Sequence, residues 1–207
     1  MLKVVPFCYN NDPDELLSNT YVVIDSDNSC LVVDPSKDND NLKNYIINNG
    51  LNLKTILLTH GHYDHFSGAK RLLESFKVDL YISFEDEMML NDPEYNCSAY
   101  ISGPYSLNEK CMNYPKNGIL RALNEDIEVI PVPYHTEGSV ALYLKTSNIV
   151  LSGDFLFCGG LGRCDLPNNA ARKKNDSLNT IFKLADDVKV YPGHGPFTTI
   201  GEEKKLY

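Results

Sequence analysis

The chain has 207 residues and a formal net charge of -9, from 19 Lys and Arg against 28 Asp and Glu. That balance argues against non-specific nucleic-acid binding and attachment to anionic membranes, since both need a cationic face. A chain this long buries roughly 70% of its unfolded surface and needs no disulfide or metal merely to fold, which sets the expectation of one domain over residues 1–207.

No apolar run approaches the roughly 18 residues of a membrane span. The opening residues, Met1 to Cys8, lack the long apolar stretch and small-residue cleavage site of a secretory leader. A cytoplasmic protein is expected. The six Cys (8, 30, 97, 111, 158 and 164) form no C-x-x-C pair and read as packing or incidental thiols.

Asn19 to Asp25 and Cys30 to Asp34 are apolar, β-branched runs joined by Ser26-Asp27-Asn28-Ser29, a hairpin signature. Asp40 to Asn49 carries Leu42, Tyr45, Ile46 and Ile47 at helical spacing, with Gly50 as its C-cap. Thr55 to Thr59 reads as a strand buried on both faces. Phe66 to Phe76 predicts a helix, Val78 to Ser83 a strand and Phe84 to Leu90 a short helix. Residues 92 to 118 hold Tyr95, Tyr100, Tyr105 and Tyr114 in an irregular stretch, either a surface excursion or a wall over a pocket. Strands are expected at Ile127 to Pro133, Val140 to Lys145, Ile149 to Ser152 and Val188 to Tyr191, with a helix over Arg172 to Ala185. Strands in two runs, each followed by helices, suggest packed sheets with helices outside.

All five His (60, 62, 65, 135 and 194) follow apolar strand-like runs, as do Asp34 and Asp154. If those strands run in one direction, their ends share a rim. In His60-Gly61-His62-Tyr63-Asp64-His65, the first two His lie two apart on extended chain and face the same way. Asp64 and His65, past the turn, reach a second position. Such a density of imidazole and carboxylate directly after a buried strand points to a zinc or iron site.

The sequence here resembles the metallo-β-lactamase superfamily. The motif Thr59-His60-Gly61-His62-Tyr63-Asp64-His65 carries the likeness, followed by His135 in Pro133 to Ser139, Asp154 in Ser152-Gly153-Asp154, and His194 in Pro192 to Gly195. Gly153 to Phe157 with Gly162-Arg163-Cys164-Asp165-Leu166-Pro167 resembles the glyoxalase-II-like branch, that of hydroxyacylglutathione hydrolases. The resemblance runs from about residue 19 to about 196. It implies an α/β fold, a four-layer αββα sandwich with metals at one sheet edge. It implies two divalent ions, zinc first and iron or manganese as alternatives. One would take His60, His62 and His135, and the other Asp64, His65 and His194, with Asp154 bridging. Asp34 either braces the ligand loop or is an ordinary strand-end Asp.

Two departures accompany the likeness. Twelve residues follow Gly195 in this sequence, too few for the C-terminal helical domain that supplies glutathione contacts in that branch, so that domain is expected to be absent. Thr136-Glu137-Gly138 also stands where Thr-Pro-Gly is usual.

Two ions roughly 3.5–4 Å apart share a water and lower its pKa to roughly 7, giving a metal-bound hydroxide to attack a thioester or ester carbonyl. Asp154 and Asp64 are the catalytic carboxylates in this reading, Asp64 also being available for proton transfer. Arg163 is either a substrate-carboxylate contact or paired to Asp165 or a carbonyl. Lys173 and Lys174 read as an exposed helix face. The expected function is hydrolysis of a small acyl-thioester or ester, without strict dependence on glutathione, by a monomer or small homo-oligomer with no nucleic-acid or membrane partner. The competing reading is a persulfide dioxygenase with one iron on His60, His135 and Asp154, the two-His-one-carboxylate pattern. A lactamase, a nuclease and a non-catalytic metal-binding module are weaker alternatives.

Overall fold

A computed structural model describes residues 2–8, 17–37 and 40–207. The first sheet has six strands in chain order: β1 (Lys3–Phe7), β2 (Thr20–Ile24), β3 (Ser29–Val33), β4 (Asn52–Leu57), β5 (Asp79–Ile82) and β6 (Met112–Asn113). Strands β1 to β3 are antiparallel neighbours, while β3 to β6 run parallel. The chain continues through β7 (Ile119–Leu120), β8 (Ile127–Pro131), β9 (Val140–Leu144) and β10 (Ile149–Gly153). A small hairpin, β11 (Leu156–Phe157) and β12 (Gly160–Leu161), precedes β13 (Lys189–Pro192) and β14 (Thr198–Thr199). The second sheet has the order β14-β13-β10-β9-β8-β7.

Side-chain alternation separates three apolar layers. Tyr21, Val23, Leu31, Val33 and Leu57 of the first sheet pack with Val129, Leu142, Leu144 and Leu151 of the second. The alternate residues Val22, Cys30, Val32 and Ile56 face Leu42, Ile46 and Leu72 on helices α1 (Asp40–Asn48) and α3 (Ala69–Phe76). Ile130, Ala141, Val150 and Val190 pack against Leu178, Ile181 and Ile200. Those last three residues belong to α5 (Lys174–Ile181) and α6 (Ile200–Lys204). Three buried interfaces make four layers, the expected αββα sandwich. No helix among the described residues is long and apolar enough to cross a membrane.

Several elements differ from the sequence expectation. The helix predicted over Phe66 to Phe76 is broken into α2 (Tyr63–Phe66) and α3 at Ser67-Gly68. Gly68 donates its N–H to Pro35 O at 2.8 Å, and a Cβ there would lie 2.4 Å from Lys37 O. The chain at this point is pressed onto the strand-to-helix loop. Ile47 is 54% exposed, because only Leu42 and Ile46, four apart, fall on the buried stripe. Phe84–Asn91 is a 3₁₀ helix, and the helix expected over 172 to 185 is regular only across α5. Strand β1, the short edge strands and α6 were without a strong sequence signal.

Strands β8, β10 and β13 point one way, since β9 is antiparallel to both β8 and β10 and β13 is parallel to β10. Their C-terminal ends, with those of β3 and β4, therefore gather His60, His135, Asp154, His194 and Asp34 at one rim. The sheets are joined there. Val140 N donates to Thr59 O at 2.9 Å, and Tyr21 Oη donates to Pro192 O at 2.6 Å.

Candidate metal centre

His60 lies in the bend after β4 and His62 on extended backbone just before α2, while Asp64 and His65 lie within that helix. His60 Nε2 is 3.0 Å from His62 Nδ1, which is 2.8 Å from His135 Nε2. A second group joins His194 Nε2 to Asp64 Oδ2 at 3.0 Å, with His65 Nε2 3.7 Å from the same oxygen. Asp154 lies between the groups. Its Oδ1 is 3.2 Å from His65 Nε2, while its Oδ2 is 3.5 Å from His194 Nε2 and 3.6 Å from His135 Nε2. The five His, Asp64 and Asp154 singled out in the sequence are thus brought together. His60, His62 and His135 form one set able to hold an ion, and Asp64, His65 and His194 form another.

The hydrogen-bond network assigns the ring tautomers. Thr59 Oγ1 gives its proton to Asp34 Oδ2 at 2.7 Å, so it accepts from His60 Nδ1 at 3.2 Å. His65 Nδ1 donates to Asp34 Oδ2 at 2.9 Å, and His135 Nδ1 donates to Arg163 O at 2.6 Å. Each ring therefore turns an Nε2 lone pair inward. His62 can share at most one proton between two such neighbours. His65 Nε2 and Asp154 Oδ1 are buried and make no hydrogen bond among the described residues. Lone pairs and carboxylates facing one another with too few protons are a donor set that fits cations.

Among the protein groups alone, the carboxylates draw positive charge onto His65 and His194, as they would draw a cation. Burial first, then the neighbouring imidazoles, hold His60 well below its ordinary value and His62 at about 3. His65 and His194 are raised: burial opposes protonation, but the carboxylates of Asp154, Asp34 and Asp64 outweigh it. Burial resists ionisation of Asp154 and Asp64, and the adjacent His65 and His194 overcome it and lower both.

Of the two expectations for Asp34, bracing is the contact made. Its carboxylate takes Thr59 N, Thr59 Oγ1 and His65 Nδ1, and its φ of 50° is left-handed. Two glycines are demanded by close approach. A Cβ on Gly153, itself at φ 50°, would lie 2.4 Å from Thr59 Oγ1, and one on Gly193 would lie 2.1 Å from Asp154 Oδ1.

Asp86 is a residue that sequence reasoning missed. It is fully buried and accepts from Gly61 N at 3.1 Å, Thr136 Oγ1 at 2.6 Å, Gly138 N at 2.8 Å and Asn168 Nδ2 at 2.8 Å. One carboxylate thus joins the His60–His62 segment, the His135 loop and the 162–170 loop. Its place in Glu85-Asp86-Glu87 reads as solvated helix surface, and no local signal distinguishes the central acid. Burial raises it to about 6 against the hydrogen bonds of Thr136, Gly138 and Gly61.

Glu137, at the Thr-Pro-Gly departure, accepts from Lys173 Nζ at 2.8 Å and pairs with Arg172. Lys173 is therefore an anchor of the His135 loop, in place of a free exposed face. Lys174 lies 5.4 Å over the Tyr207 ring.

A cavity of about 510 Å³ opens over the cluster, floored by His62, Asp64, His135, Asp154 and His194. Cys97, Tyr100, Ile101, Phe157 and Leu166 form its sides, with Arg163. Of the four Tyr in 92 to 118, Tyr100 alone lines it. Tyr105 packs 5.1 Å from Tyr63, Tyr114 donates to Leu58 O at 2.9 Å, and Tyr95 is half-exposed. Arg163 makes the second of its two expected contacts, a bidentate pair with Asp165 at 2.6 and 2.8 Å. None of the clustered His and Asp lines the larger groove of about 840 Å³ beside Phe84 and Tyr114.

The family model of the metallo-beta-lactamase superfamily matches residues 13–194. The chain belongs to that superfamily. Among its members, the chain is 31% identical to the hydroxyacylglutathione hydrolase GloC of Haemophilus influenzae over 90% of each chain. The crystal structure of the BLEG-1 B3 metallo-beta-lactamase superposes with a TM-score of 0.89 at 29% identity, covering 99% of this chain and 97% of that one. TTHA1623, solved in a di-iron-bound form, gives 0.82 at 29% identity over 96% and 97%. The metallo-beta-lactamase assignment carries metal-dependent hydrolytic chemistry with it as a general class.

Proposed function

We propose that the protein is a binuclear metal-dependent hydrolase of small thioesters or esters. The observation that carries the reading is the pair of donor groups flanking Asp154, whose two oxygens approach His65 and His135. His60, His62 and His135 would hold one ion, and Asp64, His65 and His194 the other, with Asp154 shared. Zinc suits these donors, and the di-iron form of TTHA1623 makes iron the first alternative. When bound, such ions supply a water acidic enough to ionise near neutral pH and an electrophilic partner for an acyl oxygen.

The chain's own residues do the remaining work. Asp34, Thr59 and the Arg163 carbonyl hold Nδ1 protons of the ligand rings, which keeps each Nε2 free. Asp86 sets the separation of the two ligand loops. In addition to its ligand role, Asp64 would take a proton from the attacking water and hand it to the departing thiolate or alkoxide. No Ser or Cys nucleophile is required.

The name of the GloC relative supports a thioester substrate. The test is metal content of protein purified from its own host, with assays on acyl-thioesters and on glutathione persulfide. Close to two transition-metal ions per chain and thioester cleavage are expected. A single iron with full activity, and oxygen uptake on persulfide without thioester cleavage, would move the protein to the dioxygenase reading.

A further inference from the structure

The walls of the cavity over the metal cluster are apolar to a degree that a polar 2-hydroxyacyl group or a charged substrate does not need. Helix α4 (Ser98–Ile101) stands on one side and carries Tyr100 and Ile101, which remain 71% and 41% exposed. Phe157 and Leu166 line the cavity with them. Phe157 sets its ring edge-on to His194, 6.1 Å between centroids, which brings an apolar surface directly beside the cluster. Large apolar side chains left open around a polar floor mark a binding surface.

Helix α4 is held in place from beneath. Asn96 is fully buried; its Nδ2 donates to Met89 O at 2.9 Å and to Tyr105 O at 3.0 Å, and its main-chain carbonyl accepts from Tyr63 N at 2.9 Å. Tyr63 directly precedes Asp64, so the apolar wall and the ligand loop are one braced unit. Cys97, at the start of α4, takes a left-handed φ of 67°, a costly conformation for a side chain with a Cβ. Burial pushes its thiol up.

Charge at the walls is balanced. Among the residues that line the cavity, Arg163 is the one Lys or Arg, and its guanidinium is already matched two-for-two by the Asp165 carboxylate. An incoming carboxylate has to replace a fitted partner to gain a single ion pair, and exposed pairs contribute little.

We propose that the site selects thioesters of neutral, apolar acyl chains, laid between Tyr100 and Ile101 on one side and Phe157 and Leu166 on the other. The choice of thioesters rests on the function proposed above, whereas the apolar clamp does not.

The test uses the metal-loaded protein and a common neutral thiol, N-acetylcysteamine, acylated with acetyl, butyryl, hexanoyl, D-lactoyl and succinyl groups. Full burial of a methylene corresponds to about fourfold in affinity and half-burial to about twofold. On that scale kcat/KM rises about tenfold or more from acetyl to hexanoyl, and succinyl shows no gain over butyryl. In Ile101→Ala and Tyr100→Ala the rise with chain length flattens. Asp165→Asn, which frees Arg163, raises succinyl turnover several-fold. In parallel, non-hydrolysable S-alkyl thioethers of the same thiol are titrated by NMR, and their affinity follows the same chain-length slope. A flat slope in both series, or succinyl preferred over butyryl by the unaltered protein, overturns the proposal. If no thioester is cleaved, the hydrolase reading fails and the thioether slope alone decides the clamp.

Discussion

Removing the Asp86 carboxylate tests whether one buried acid holds the two ligand loops together. In Asp86→Ala the amides of Gly61 and Gly138 lose their acceptor, while Thr136 Oγ1 retains Ser139 and Asn168 Nδ2 retains Glu85 O. A stranded buried donor costs about 1–3 kcal/mol, giving about 2–6 kcal/mol for the two amides. The carboxylate's own burial acts the other way. Its pKa is raised from 3.8 to about 6, so across that interval the folded state holds a proton the unfolded state has released. Stability contributed by the protonated acid is fully present below pH 3.8 and is lost as pH rises to about 6. Between pH 5 and that point the loss is about 1.4 kcal/mol, one pKa unit. The variant lacks this term. At pH 5 the carboxylate's own burial already offsets about 1.6 kcal/mol of the amides' cost, so Asp86→Ala is expected to be destabilised by about 0.5–4.5 kcal/mol there, and by about 1.4 kcal/mol less at pH 7. Urea unfolding at both pH values, followed by far-ultraviolet circular dichroism on metal-loaded and chelated protein, measures it. A difference below about 0.5 kcal/mol at pH 5, or one that grows toward pH 7, would refute the reasoning.

Three further outcomes follow from the cluster. Asp154→Ala is expected to lose bound metal at both positions and to lower kcat by about 10³-fold or more, since one carboxylate serves both donor groups; elemental analysis with steady-state rates checks this, and near-normal values would end the bridging assignment. Asp34→Asn replaces the acceptor that holds His65 Nδ1–H, and weakens metal binding about 10–100-fold in competition titrations with a chelator, with little change in the far-ultraviolet spectrum. Gly193→Ala drives a Cβ to within 2.1 Å of Asp154 Oδ1, so it is expected to impair metal loading, as judged by metal content per folded chain.

Local chemistry carried the sequence reading furthest where its periodicity was unbroken. The β-branched, apolar runs Asn19 to Asp25, Cys30 to Asp34 and Thr55 to Thr59 announced the central strands, which form as Thr20–Ile24, Ser29–Val33 and Asn52–Leu57, because a short apolar run buried on both faces is set by its own residues. The spacing of His60, His62, Asp64 and His65 was legible for the same reason: a short segment presents its own side chains. Parallel strand direction then made the distant His135, Asp154 and His194 land on the same rim. What no local pattern held were interactions whose partners lie far along the chain. Asp86 is a surface acid by sequence and a buried hub only because loops from residues 61, 136 to 138 and 168 close around it. The break at Gly68 coincides with its N–H bond to Pro35 O, where only a glycine clears Lys37 O, and the choice of Tyr100 over Tyr95, Tyr105 and Tyr114 as the cavity's wall comes from where buried Asn96 pins α4. Arg163 was left between two partners until the fold brought its guanidinium flat against Asp165. Periodicity and spacing act through neighbours in the chain and survive in one dimension; hydrogen-bond satisfaction and steric contact are settled only by which distant atoms arrive.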